Sequence, residues 1–470
     1  MPPPLRLDIP LWDQSKGKQV LAPVAFQPVH EVLDALVKPG TEADWLSCDA
    51  GQEDFRDRVQ AWGKRVKQKD TQDVAGLSLW GDSAPTTHRE SVYLLSWTPL
   101  TGIHRRRFRL CGLSKARICR CGCGGRCTFA AVFRVIAWML EVLLTGRFPK
   151  AGPEDVPFKD SWRRLAKGRR LLVRGACISK CGDWAWLKQV LGLQGWSGEG
   201  PGRRICWICQ AGFNDTLNCH DFSTGAPWRR SLVSMADFWA SCALEKTYTS
   251  TIWHIPGFHL SCVRLDWMHL ADLGILQAAL GNVFSELWAG LGGIRARPHL
   301  ACVKLLNLLK VAAQDLGIRV PVADLTLGMF HGVEKKRPKM KLKAAEGRYM
   351  LPIVHRLLQV LWETDSEHAT LRLQCIAALD AAYAKLAHWQ GDSASAFELG
   401  SLARRHLLKY GELQRLVDSG MRWAFLPKHH LWLHLCEQCS CNPRLEWNYG
   451  DEDEIGQAAV FARGRMPPAS

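Results

Sequence analysis

Apolar side chains recur at helical spacing from Phe129 to Leu144, broken only by Arg134 and Glu141 and followed by Gly146 and Pro149. That pattern predicts a buried amphipathic helix over 129–146, stopped by a glycine and a proline. It is too short and too charged to predict a membrane span. Downstream, the basic pairs Arg163-Arg164 and Arg169-Arg170 lead into the short apolar run Leu171-Leu172-Val173, which predicts a buried strand running toward Asp183. Beyond Asp266 the periodicity turns helical, with helices predicted over 270–288, 299–316, 351–363, 367–390 and 395–419. The stretch 331–347 interrupts them, and its dense Lys335, Lys336, Arg337, Lys339, Lys341 and Lys343 predict an exposed basic loop.

The rest of the chain is less regular. Residues 1–100 scatter proline, glycine and charge, which predicts a partly ordered extension with a short helix around 52–67. Residues 101–150 hold a basic, cysteine-rich motif and then the apolar helix. Residues 151–290 read as a core interrupted by a loop-rich Cys/His insertion at about 192–227, and 291–470 as a mainly helical region. The predicted class is therefore α/β (α+β), with a zinc-binding insertion and a mostly α-helical C-terminal half.

Charge and cysteine use narrow the partners. A net charge of +16 favours a polyanion. The opening Met1-Pro2-Pro3-Pro4-Leu5-Arg6 lacks the apolar stretch of a secretion signal, so 18 cysteines point to thiols and metal sites rather than disulfides. Cys119, Cys121, Cys123 and Cys127, separated by glycines and with Cys111 nearby, can wrap a tetrahedral ion, and thiolate softness selects zinc over hard cations. Cys206-x-x-Cys209 followed by Cys219-His220 forms a second candidate zinc set. Cys436, Cys439 and Cys441 beside His434 form a weaker third group, lacking a fourth ligand of their own. Basic residues Arg105, Arg106 and Arg107 around Phe108, and Lys335, Lys336, Arg337, Lys339 and Lys341, are candidate phosphate contacts for DNA.

The stretch Leu265-Asp266-Trp267-Met268-His269 sets a carboxylate and an imidazole close together where an apolar run begins. Such a pair can bind a divalent metal or position a water, and equally it can be a helix cap with a packed histidine. It follows Cys181-Gly182-Asp183-Trp184-Ala185-Trp186, Gly195-Trp196-Ser197 and Cys206-Trp207-Ile208-Cys209. It precedes His429-His430-Leu431-Trp432-Leu433-His434-Leu435 and the acidic run Asp451 to Glu454. Taken in order over about 175–456, these patches resemble the catalytic region of CACTA-type DNA transposases and, more loosely, the Kyakuja–Dileera–Zisupton group.

The resemblance implies an RNase H-like core that uses Mg or Mn for DNA strand cleavage and transfer, with catalytic roles for Asp183, Asp266, His269 and Glu452. It also implies a nuclear protein that works on DNA, assembled as a homo-oligomer, with no membrane partner. The resembled families carry a further acid on the first core strand. Asp155 and Asp160 are the nearest upstream candidates, and Asp73 and Asp82 lie earlier, but none stands in the expected sequence context. An incomplete acidic set implies a degenerate or truncated, DNA-binding copy. A zinc-stabilised protein-interaction scaffold without catalysis is the competing expectation.

Overall fold

The computed structural model describes residues 1–49, 52–85, 90–192, 204–213, 216–244, 250–294, 297–330, 337–361, 366–389, 393–417 and 421–449. The chain folds into two compact units, each assembled from separated pieces. The first combines Met1–Gln194, Ser234–Asp266 and Glu446–Ser470, and the second combines Gly195–Val233 and Trp267–Leu445.

The first unit is built on a mixed sheet. Its strands are β3 (Val74–Pro85), β4 (Ser91–Pro99), β5 (Phe108–Ser114) and β6 (Arg174–Cys181), in the order β5-β4-β3-β6. β3, β4 and β5 pair antiparallel, whereas β6 joins β3 in parallel. A parallel pairing needs a crossover. Here the connection contains the helix Arg126–Thr145, which packs against β6. β3 and β6 are buried on both faces from Val74 to Asp82 and from Gly175 to Cys181, and so lack the alternation that marks a half-exposed strand. Beyond β6, Val263 bridges Lys180 in parallel, and its neighbour Arg264 donates its N–H to the Lys180 carbonyl at 3.0 Å. A hairpin of β1 (Leu5–Asp13) and β2 (Lys18–Phe26) completes the strands.

Close packing explains one glycine. A Cβ at Gly81 would fall 2.5 Å from the Trp186 ring, so only a glycine at that point of β3 lets the helix Trp184–Leu191 lay its indole on the strand. Among the described residues one helix, Arg126–Thr145, is long and apolar enough to cross a membrane; in this structure it is a core helix, with Phe133, Ile136, Met139 and Leu143 nearly inaccessible.

The second unit is helical. A π-helical stretch Met268–Leu276 runs into the helix Gln277–Gly290 and is followed by Pro298–Asp315, Ala344–Val360, Glu367–Ala387, Ser393–Leu416 and Pro427–Gln438. Glu367–Ala387 and Ser393–Leu416 make the most extensive helix pair in the unit. These positions match the periodicity of the sequence to within a few residues, apart from Ala344–Val360. That helix starts seven residues before 351, inside the stretch expected to be a basic loop.

The expected N-terminal extension is the main correction. Residues 1–100 supply both hairpin strands and the first two strands of the sheet, with Leu77, Leu79, Trp80 and Trp97 in the core. β3 has no period to read because it is buried on both faces and rich in glycine and serine, whereas β1 carries an alternation at Leu5, Leu7, Ile9 and Leu11. The strand expected at 171–173 begins at Arg174 instead.

A buried ionic group ties distant parts of the first unit together. Glu446 accepts from Arg58 at 2.7 Å and from the Ser179 hydroxyl at 2.6 Å, and Arg264 lies 3.6 Å away. Both guanidiniums also face Asp54. Burial alone would raise the Glu446 carboxyl, but Arg58 and Arg264, with the Ser179 and Arg58 hydrogen bonds, hold it down at about 2. Because the folded value is depressed, the stabilisation is present above the unfolded value of about 4.5 and is lost as pH falls toward 2. Chemical denaturation between pH 6 and 2 should therefore show a loss on the order of 3 kcal/mol from this group. Glu446→Gln should be less stable at pH 6 and have a flatter pH profile; an unchanged profile would remove the carboxylate from this role.

Candidate metal centres

In the second unit, four ligand atoms converge from two segments far apart in sequence. Cys206 and Cys209 sit on a tight loop in which the Ile208 N–H donates to the Cys206 Sγ at 3.3 Å. The loop is pinned by Ile205 N–H to Ala211 carbonyl and Val233 N–H to Ile208 carbonyl bonds, both 2.9 Å. His430 and His434 are four residues apart on the helix Pro427–Gln438, and that spacing puts both imidazoles on one face. Their Nε2 atoms lie 3.2 and 3.3 Å from the Cys209 Sγ. The ligand atoms of Cys206, Cys209, His430 and His434 all lie within 4.8 Å of one another, and all four residues are buried.

The surroundings orient these ligands. His430 Nδ1 lies 3.2 Å from the Cys219 carbonyl, which can only accept, so Nδ1 carries the hydrogen and Nε2 keeps its lone pair for the centre. Trp228 packs edge-on to both imidazoles, at 4.5 and 5.0 Å. Hydrogen bonding from the Cys206 thiol, opposed by burial and aided by His430, draws Cys209 down to about 5, whereas burial pushes Cys206 well above the usual thiol range. Burial lowers both histidines, His434 to about 4, so the imidazoles are neutral and able to ligate at neutral pH. A thiolate and imidazole set of four could hold a metal ion, and its softness and number suit zinc.

This set differs from Cys206, Cys209, Cys219 and His220. Cys219 contributes its carbonyl to the His430 ring rather than its thiol to the centre. The His220 ring packs against Phe213 and Phe425 at 5.5 and 5.1 Å. Proximity in sequence misled here, and the available signal was the i, i+4 histidine pair at 430 and 434. The third group also dissolves, because His434 faces Cys209 and Cys436 lies outside the ligand cluster.

In the first unit, Cys119, Cys121, Cys123 and Cys127 form the other cluster of four ligand atoms within 4.8 Å, as expected from their spacing. Gly122, Gly124 and Gly125 have φ of +88°, +61° and +89°, the left-handed conformation that side-chain-bearing residues rarely adopt. The loop ends at the start of the helix Arg126–Thr145, whose N-terminal N–H groups favour thiolate charge. Burial raises Cys123, but the Cys127 N–H and the three other thiols outweigh it and hold Cys123 at about 6. Cys111 stays outside the cluster, and burial pushes its thiol to about 12.

The acidic candidates divide. Asp183 caps the helix Trp184–Leu191, its Oδ1 accepting from the Trp186 N–H at 2.6 Å. Asp266 is buried, and its Oδ1 accepts from the Asn448 N–H at 2.9 Å. His269 lies on the π-helical stretch of the helical unit, where its carbonyl accepts from Lys428 Nζ at 2.8 Å. Glu452 lies outside the described residues. One acid that lacked a sequence context, Asp82, gains a position. Trp80 pairs with Cys181 in the β3–β6 register, so Asp82 and Asp183 each stand two residues past that pair. Burial raises the Tyr93 hydroxyl, its Gln189 hydrogen bond opposes that, and the Asp183 and Asp82 charges add to the rise.

Among the basic candidates, Arg105 stacks over Phe55 at 5.1 Å and Arg107 reaches the Trp447 carbonyl at 3.5 Å, leaving Arg106 exposed. Arg337, Lys339 and Lys341 are exposed, while Lys335 and Lys336 lie outside the described residues.

No family model matches the chain, and no curated protein matches it.

Metal analysis of the purified protein should give two tightly held zinc ions per chain. Cys209→Ser or His434→Ala should lower that to one, while Cys219→Ser and His220→Ala should keep two. Loss of an ion in the Cys219 or His220 variant would reinstate the ligand set expected from sequence.

Proposed function

We propose that this is a transposase-derived DNA-binding protein, in which an RNase H-like sheet carries an acidic edge suited to metal-dependent DNA strand cleavage. The observation that carries this reading is the placement of three acids along one end of adjacent parallel segments. Asp82 follows the part of β3 that pairs with β6, Asp183 follows β6, and Asp266 follows the segment that bridges β6 at Val263. The carboxyl ends of parallel strands are where α/β sheets present ligands. The order β5-β4-β3-β6, with three antiparallel strands, a helical crossover and a parallel fourth, agrees with such a core.

Carboxylate oxygens fit the hard-ligand preference of Mg²⁺ and Mn²⁺. When bound, such an ion lowers the pKa of a water and neutralises charge on the phosphate. Asp82, Asp183 and Asp266 are the residues that would hold it. In a hydrolytic nick the water oxygen bonds to phosphorus and the bond to the 3′ oxygen breaks. The products are a 5′-phosphate and a 3′-hydroxyl, and the water's protons go to the leaving oxygen and to solvent. The exposed Arg106 and Lys341 supply charge for backbone contact, and DNA as partner implies a nuclear location. Self-assembly on paired DNA ends belongs to the same reading.

A second reading, a zinc-stabilised interaction scaffold, is favoured by one observation. Asp183 and Asp266 each spend a carboxylate oxygen on a backbone N–H, as purely structural residues do. Nicking of supercoiled DNA with Mn²⁺ separates the two. Wild type should nick, and Asp82→Asn and Asp183→Asn should each lose on the order of 100-fold or more. Asparagine still caps a helix, so the Asp183 variant should fold. Zinc-loaded wild type that fails to nick would favour the scaffold. DNA affinity should fall roughly 10³-fold between about 50 and 200 mM salt if six phosphates are contacted; salt-insensitive binding would contradict the DNA reading.

A further inference from the structure

The helical unit contains a recess of about 220 Å³ that neither the zinc centres nor the acidic edge uses. Its construction is specific. A Cβ at Gly281 would lie 2.5 Å from the Lys339 backbone nitrogen, so the glycine allows the 337–339 segment to lie directly on the helix Gln277–Gly290. A Cβ at Gly274 would meet the Lys428 side chain at 2.7 Å, so that glycine makes room for the lysine. The Met268–Leu276 stretch beside it is π-helical, a widened turn that often accompanies a binding site. Lys428 reaches across to donate to the His269 carbonyl of that stretch.

The lining combines an apolar floor with positive charge. Leu273, Ala278 and the Tyr410 ring form the floor, and Arg337, Lys339 and Lys428 stand around it. Among the described lining residues none is acidic. Arg337 lines the recess, and after burial its charge is the next cause that lowers the His220 ring. Partial burial lowers Lys339, a cost that a bound anion would offset. Tyr410 is 1% exposed, and its hydroxyl accepts from the Asn282 amide at 3.2 Å. Tyr410 lines the recess, and among the described residues no acceptor is paired with its hydroxyl hydrogen.

We infer that this recess binds a phosphoanion of about pyrophosphate size, held by Arg337, Lys339 and Lys428 and accepting a hydrogen bond from Tyr410. Arginine in a fork and lysine as a point charge are the usual phosphate donors. The volume is below the roughly 300 Å³ at which pockets take drug-sized ligands, so it suits a compact anion or the terminal phosphate of a longer one. This inference does not depend on the acidic edge being catalytic.

Calorimetric titration of the zinc-loaded full chain with inorganic pyrophosphate tests it. Saturable binding of one anion per chain is expected, weakened tenfold or more, on the order of losing one charged hydrogen bond, in Arg337→Gln and in Lys339→Gln. Tyr410→Phe should weaken it severalfold, and unchanged zinc content and melting temperature would show that the variants fold. Competition by a 5′-phosphorylated but not a 5′-hydroxyl oligonucleotide would identify the ligand phosphate as a strand end; failure of both to compete would identify a free phosphoanion. Absence of saturable binding, or binding that the three substitutions leave unchanged, would overturn the inference.

Discussion

A thiolate and two imidazoles packed out of reach of water make the tightest demand in this protein. Cys209, His430 and His434 are all buried, and their ligand atoms stand 3.2 and 3.3 Å apart with Cys206 alongside. Buried polar groups of this kind cost several kcal/mol when unpaired, and a shared cation is the compensation their chemistry suits. The rest of the helical unit is arranged to serve that cluster. The Cys219 carbonyl sets the His430 tautomer, and Trp228 fixes both rings. The same helix is anchored at its far end, where Glu437 receives both Arg229 and Arg404. Arg229 lies in the loop region that carries the cysteines, so the centre and the ion pairs hold the same two segments together.

The first unit satisfies the same constraint differently. One of its carboxylates, Glu446, is matched by two guanidiniums and a hydroxyl. A carboxylate so fully compensated by arginine is a poor ligand for a divalent cation, and its role is structural. Asp183 shows how a single residue can carry two duties, since one oxygen caps the helix while its position, two residues past the Trp80–Cys181 pair, sets it at the end of β6. Structural and chemical readings of the same aspartate are therefore compatible, and the chemistry of the edge is decided by activity rather than by the cap.

Legibility followed the range of the interactions. The Cys119–Cys127 cluster was readable because its ligands and its turn-forming glycines lie within nine positions, so local geometry determines the site. The C-terminal helices were readable because an amphipathic helix buries one stripe whatever its partner is. The Cys206–Cys209 loop is legible in the sequence but its partners are not: Cys219 and His220 are near at hand, and nothing local says which imidazole will arrive from 221 positions away. Asp82 could not be chosen over Asp73, because only the β3–β6 register puts one of them beside Asp183. β3 is illegible for a related reason: a strand buried on both faces by later elements carries no alternation of its own.

By itself, then, the sequence determined what short-range physics can enforce: helix positions, the glycine-bearing four-cysteine loop, a basic surface and a cysteine knuckle in need of two more ligands. Tertiary structure alone decided which histidines complete that knuckle, which acids share a sheet edge, and which glutamate is locked between arginines. Each of those outcomes depends on segments separated by roughly a hundred residues or more, brought together by burying apolar surface that does not encode which polar partner will be waiting.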